Sequence, residues 1–236
     1  MEIDYKDIQV IGFDADDTLW VNETYFREAE AQFAELLSQF ETANKIDQEL
    51  FKIEMQNLSH YGYGIKSFML SMVESALALS NNQVSNATIA EILKIGKTML
   101  NKPVELLDGV EDVLKALSGQ YRLILATKGD LLDQERKLEK SGLVEYFHHI
   151  EVLTDKKEAN YIKLLNHLDI HPEQFLMVGN SLKSDILPLV NINAHAIHVP
   201  FHTTWQHEQV SEEETNGKHY KTINSLSNIL EFLPYN

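Results

Sequence analysis

Asp14 and Asp16 open the chemical reading of this chain. They follow the apolar run Ile8-Gln9-Val10-Ile11-Gly12-Phe13, within Asp14-Ala15-Asp16-Asp17-Thr18. Extended backbone sends alternate side chains to one face, so two acids two residues apart are expected to share a face at a strand end. Like charges so placed repel, and either one carboxyl stays protonated or a cation sits between them. A nucleophile, a proton donor and a metal ligand can be drawn from such a pair. Asp17 reads instead as a solvated turn or capping acid.

The elements that must carry these acids are strands alternating with helices. After the first run, strand-like segments recur at 121–126, 149–153, 175–178 and 194–199. Helical patterns lie at 110–118, 131–141, 159–168 and 184–191. This alternation, with several strands apolar throughout, predicts an α/β fold with a parallel sheet covered on both faces. Ligands bind at the carboxyl ends of strands in such sheets. Thr127, Asn180 and the acids stand at those ends. Residues 22–99 break the rhythm and read as almost wholly helical, with periodicity at 23–40, 47–57, 65–80 and 87–100. Lys102-Pro103 marks the exit. The expected domains are therefore a sheet core, 1–21 with 104–236, and a helical insertion, 22–103. Near the end, 211–217 reads as an acidic loop and 225–232 as a helix docked on the core.

Asp14-Ala15-Asp16-Asp17-Thr18 resembles the opening motif of the haloacid dehalogenase-like superfamily, and the likeness extends over nearly the whole chain. The resemblance implies a Rossmann-like core with an α-helical cap and a magnesium-dependent phosphatase. Asp14 would attack phosphorus to form an aspartyl-phosphate, and Asp16 would serve as acid and then base. Covalent catalysis divides one hard displacement into two easier ones. Thr127, in Leu125-Ala126-Thr127-Lys128-Gly129, would donate its hydroxyl to the phosphoryl group, with Lys128 beside it. A lysine at the start of the helix after the third strand would neutralise the nucleophile and the phosphoryl oxygens. Lys156 is preferred and Lys157 is the alternative, and the prolines usual there are missing. In Gly179-Asn180-Ser181-Leu182-Lys183-Ser184-Asp185, Asn180 stands where the family usually has Asp. The implied Mg2+ shell is the Asp14 carboxylate, the Asp16 carbonyl, Asn180 and waters, with Asp185 a direct or water-bridged partner. In the cap, Tyr61, Tyr63 and Lys66 flank two glycines and are candidate substrate contacts, against the alternative of an ordinary interhelical turn.

Composition narrows the partners. Acidic residues outnumber basic ones 36 to 20, for a formal charge of −16, which disfavours nucleic acid and anionic membrane. With no cysteine, thiolate catalysis and disulfides are excluded. The acidic start carries no signal-type apolar run, and a cytoplasmic monomer or small homo-oligomer acting on a small phosphorylated metabolite is expected. His195 and His198 are expected to be packed or exposed rather than metal-bound. Within the resembled superfamily a haloacid dehalogenase would lack an acid at position 16, and a phosphomutase would keep it. A phosphonatase would need a cap lysine such as Lys66. A non-catalytic binding protein on the same scaffold is the remaining alternative.

Overall fold

The computed structural model describes residues 5–233; the acidic first residues, 1–4, lie outside them. The chain divides into two compact units. One comprises Met1–Glu23, Val104–Lys128 and Glu135–Asn236, and the other Thr24–Pro103 with Gly129–Gln134.

Among the described residues, six strands form one parallel sheet. They are β1 (Val10–Phe13), β2 (Arg122–Lys128), β3 (His149–Leu153), β4 (Phe175–Gly179), β5 (His195–His198) and β6 (Lys221–Thr222), ordered β3-β2-β1-β4-β5-β6. Every residue of β1 and β4 is buried, because helices cover both faces. The period of two sorts their side chains. Ile11, Phe13, Leu123, Leu125, Leu176 and Val178 pack against α5 (Val110–Leu117) and α6 (Leu131–Ser141). Val10, Ile124, Ala126, Phe175 and Met177 pack on the other face against α7 (Glu158–Leu168) and α8 (Leu187–Asn191). Gly12 fits because a Cβ there would lie 2.6 Å from the Phe175 ring.

The helical unit holds α1 (Glu23–Leu37), α2 (Ala43–Tyr61), α3 (Ile65–Leu79) and α4 (Asn86–Asn101). Phe33, Leu37, Ile46, Leu50, Phe68, Met72 and Ile92 form its own buried core. Truncating one such side chain to alanine costs about 2–5 kcal/mol. Helix α4 begins where Ser85 accepts a hydrogen bond from the Thr88 amide, a standard N-cap.

Several elements depart from the sequence expectation. The helix expected at 184–191 is divided into a π turn, Leu182–Ile186, and the short α8. Pro188 lacks the N–H that would reach the Ser184 carbonyl, and the Tyr161 hydroxyl donates to that carbonyl instead, at 3.0 Å. Strand β2 runs through Thr127 to Lys128, so Thr127 lies within the strand rather than after it. Helix α2 is longer than expected at both ends. Strand β6 has two residues, too few for a periodic signal. The acidic loop at 211–217 contains the helical turn α9 (Glu212–Thr215), started by a Ser211–Glu214 capping box. The final helix is a 3-10 turn, Leu226–Glu231, whose Leu226 and Ile229 enter the core.

Candidate active site

Strand β1 ends at Phe13, and the Asp14 amide still donates to the Val178 carbonyl at 2.9 Å. This bond pins Asp14 at the carboxyl edge of the sheet. Lys156, between β3 and α7, points back to the same place. Its Nζ donates to Asp14 Oδ1 at 2.5 Å and to Asp185 Oδ1 at 2.7 Å, and its side chain is 1% exposed. Asp185 is oriented by the π turn and by the Ser181 amide, which donates to its Oδ2 at 2.9 Å. Gly179 makes room for it, since a Cβ there would stand 2.3 Å from Asp185 Oδ2.

Burial raises the Asp14 pKa to about 7; Lys156 opposes the rise, and the charges of Asp185 and Asp16 add to it. Burial also disfavours the Lys156 charge, but Asp14 and Asp185 outweigh it and hold that pKa above the ordinary lysine value. One ammonium thus serves two buried carboxylates, and the cluster carries an excess negative charge once Asp14 ionises, above about pH 7.

Thr18 links this cluster to Asn180. Its hydroxyl lies 3.2 Å from Asp14 Oδ2 and 3.4 Å from Asn180 Oδ1, and it accepts from the Asn180 amide at 3.0 Å. His198 supports the turn from β5, its Nε2 lying 3.1 Å from the Asn180 carbonyl. The carbonyl requires Nε2 to be the donor, and burial holds the His198 pKa below its usual value, favouring the neutral ring. Asp14, Asn180 and Asp185 therefore offer hard oxygen donors beside uncompensated negative charge, a donor set that fits Mg2+.

Asp16 is held separately. Its Oδ1 accepts from Trp20 Nε1 and from Lys137 Nζ, each at 2.8 Å, and Lys137 also donates to Asn22 at 3.0 Å. The strand stops before Asp14 and the chain turns at Asp17, whose φ is 62°. Each acid consequently has its own lysine. Asp17 is a capping acid, as one of its two readings had it, but a buried one. It accepts from the Asn22 and Glu23 amides at 2.8 and 3.0 Å, and burial raises its pKa to about 7 against those bonds.

Lys157, the alternative to Lys156, is 73% exposed and pairs with Asp155. Thr127 is buried, its hydroxyl 3.3 Å from the Lys128 carbonyl. Lys128 meets Ser184 at 2.8 Å and Glu208 at 2.7 Å. Glu208, from the 3-10 turn Gln206–Glu208, also accepts from the Ser181 and Ser184 hydroxyls. Burial works against its charge, yet Lys128 and the serines lower its pKa to about 2. In the helical unit, Lys66 is paired with Asp130 at 2.8 Å, Tyr61 donates to Glu74 at 3.1 Å and is exposed, and Tyr63 is half-buried. Sequence reasoning did not single out Thr18, Trp20, Lys137 or Glu208.

No helix among the described residues is long and apolar enough to cross a membrane. The family model for haloacid dehalogenase-like hydrolases matches residues 8–193. N-acylneuraminate-9-phosphatase from Homo sapiens is 26% identical over 190 residues, covering 76% of this chain and 77% of the relative, and the Mus musculus protein matches equally. A haloacid dehalogenase-like family hydrolase from Xanthomonas campestris superposes with a TM-score of 0.84 at 36% identity, covering 94% of this chain and 88% of that one. A magnesium-bound HAD-hydrolase from Bacillus subtilis shares the fold at a TM-score of 0.64 and 18% identity. With its parallel sheet and the acids at the end of β1, the chain belongs to the haloacid dehalogenase-like hydrolases.

Proposed function

We propose that this hydrolase is a magnesium-dependent phosphatase acting on a small phosphorylated metabolite through an aspartyl-phosphate. The observation that carries the reading is the buried Lys156 ammonium bridging Asp14 and Asp185 at the strand ends. In this reading an Asp14 oxygen attacks phosphorus and the bond from phosphorus to the ester oxygen breaks. Asp16 gives its proton to the departing oxygen. It then takes a proton from water as that water attacks phosphorus, and the bond to Asp14 breaks, releasing phosphate. Lys156 and the Thr127 hydroxyl hold the phosphoryl oxygens, and Lys128 lies alongside them. Asp14, Asn180, Asp185 and the Asp16 carbonyl would hold Mg2+, which supplies positive charge for the carboxylate and phosphoryl oxygens. Lys137 and Trp20 keep Asp16 in one orientation.

The helical segment 22–103 is assigned the role of a cap that selects the substrate, with Tyr61, Tyr63 and Lys66 as its candidate contacts. The phosphatase names of the curated relatives support the substrate class. The acidic surface suits a cytoplasmic enzyme of small anions rather than one of nucleic acid. Turnover of p-nitrophenyl phosphate with Mg2+ by the natural chain, abolished in Asp14→Asn, is the expected result. A panel of sugar phosphates, including N-acylneuraminate 9-phosphate, then ranks substrates. Absence of turnover on every phosphate ester, or turnover of 2-haloacids instead, overturns the reading.

A further inference from the structure

A second group of metal-ligating side chains lies away from the acids just described. His149 and Glu151 are alternate residues of β3, the edge strand, and point to the face covered by α7, as Leu153 does. His167 stands in the last turn of α7. The His149 Nε2 and a Glu151 oxygen are 2.9 Å apart, and the two imidazoles meet edge to face with centroids 5.4 Å apart. One donor atom from each of the three residues lies within 4.8 Å of the other two. His149 pairs with Ile124 of β2, so the cluster lies on the outer edge strand, with β2 between it and the strand that leads to Asp14.

We propose that His149, Glu151 and His167 form a binding site for a borderline divalent cation, of which Zn2+ is the best fit. Two imidazoles and a carboxylate are a zinc ligand set, whereas Mg2+ favours oxygen alone. Zinc bonds of about 2.0–2.2 Å put tetrahedral ligand atoms roughly 3.3 Å apart, so modest side-chain rotation closes the present spacing. Glu151 and His149 are about one-third exposed and His167 more so, which leaves the fourth position to water and gives the ion a route in. The bound cation would join the edge strand to the end of the helix that covers it. It acts as a clamp that needs no part of the hydrolytic site.

The test is zinc titration by calorimetry in excess Mg2+, which occupies the oxygen-rich cluster. His167→Ala is the principal variant, because an exposed side chain can be removed without disturbing the core. The natural chain is expected to bind one more zinc equivalent than His167→Ala. His149→Ala is expected to lose the same equivalent, while Asp185→Asn keeps it. Co2+ substitution should give intense visible bands of low-coordinate geometry in the natural chain and lose them in His167→Ala. Zinc should also raise the melting temperature of the natural chain and of Asp185→Asn more than that of His167→Ala. Equal zinc stoichiometry and affinity in the natural chain and His167→Ala would overturn the proposal and leave an ordinary hydrogen-bonded His–Glu pair.

Discussion

Replacing Lys156 with methionine removes an ammonium lying 2.5 Å from one buried carboxylate and 2.7 Å from another. The Asp185 side chain is 1% exposed and that of Asp14 is 10% exposed, so water cannot take over the lost contacts. Removing one partner of a buried ion pair costs about 3–5 kcal/mol. The upper part of that range applies here, because one ammonium serves two acids and methionine fills the stem volume without supplying charge. At about 2–4 °C per kcal/mol for a chain of this size, the melting temperature should fall by roughly 8–20 °C.

The loss should also depend on pH in a defined direction. Asp14 has a pKa of about 7 in the folded chain against 3.8 for an ordinary Asp. Between those values the folded state binds more protons, so the metal-free chain gains stability as pH falls from about 7 towards 4. Without Lys156 the Asp14 carboxyl holds its proton still more firmly, and the deficit of the variant should shrink between pH 8 and pH 5. Urea denaturation with EDTA at both pH values measures this. Lys157→Met, at a 73% exposed side chain, should stay within about 0.5 kcal/mol of the natural chain. Turnover of p-nitrophenyl phosphate should fall about 10²–10³-fold in Lys156→Met alone. Equal effects of the two substitutions, or a deficit independent of pH, would refute the argument.

Gly179→Ala should cost about 1–3 kcal/mol through overpacking and lower kcat at least tenfold, since the new Cβ displaces the Asp185 carboxylate; unchanged kinetics would show that Asp185 does not need its present position. Mg2+ should raise the melting temperature more at pH 8 than at pH 5.5, because proton and cation compete for Asp14; a full shift in Asp14→Asn would contradict this. Glu208 has its pKa lowered from 4.5 to about 2, so its contribution of about 3 kcal/mol is present above pH 4.5 and is lost as pH falls through 2. The acid limb of a stability curve should be shallower in Glu208→Gln, and an unaltered limb would count against the Lys128–Glu208 pair.

The central strands were legible because burial on both faces leaves continuous apolar runs, and the acids that end β1 stand out against them. The residues that hold the acids were harder to see. Lys137 is 121 positions from Asp16, and Glu208 is 80 from Lys128. A lysine on an amphipathic helix and a glutamate in a loop look like solvated charges until the fold brings their partners near. Trp20 was the one detectable signal, an indole N–H four residues after an acid. Lys156 was preferred to Lys157 on the resemblance alone, since no periodicity governs the short turn before α7. Asp17 misled in part, because only a tertiary structure reveals that a charged turn residue is covered.

The position of β1 has a consequence for synthesis. This strand lies at the centre of the sheet, between β2 and β4. Its residues 10–13 leave the ribosome long before either neighbour exists, and β4 ends only at Gly179. The strand that presents Asp14 therefore waits with both hydrogen-bonding edges open until β2 is made, and with one edge open until β4 follows. Such edges template wrong pairings. The helical segment made in the meantime builds its core from its own residues. Nascent chains arrested before residue 122 should accordingly carry a folded helical segment and an unpaired β1, a form suited to capture by a chaperone.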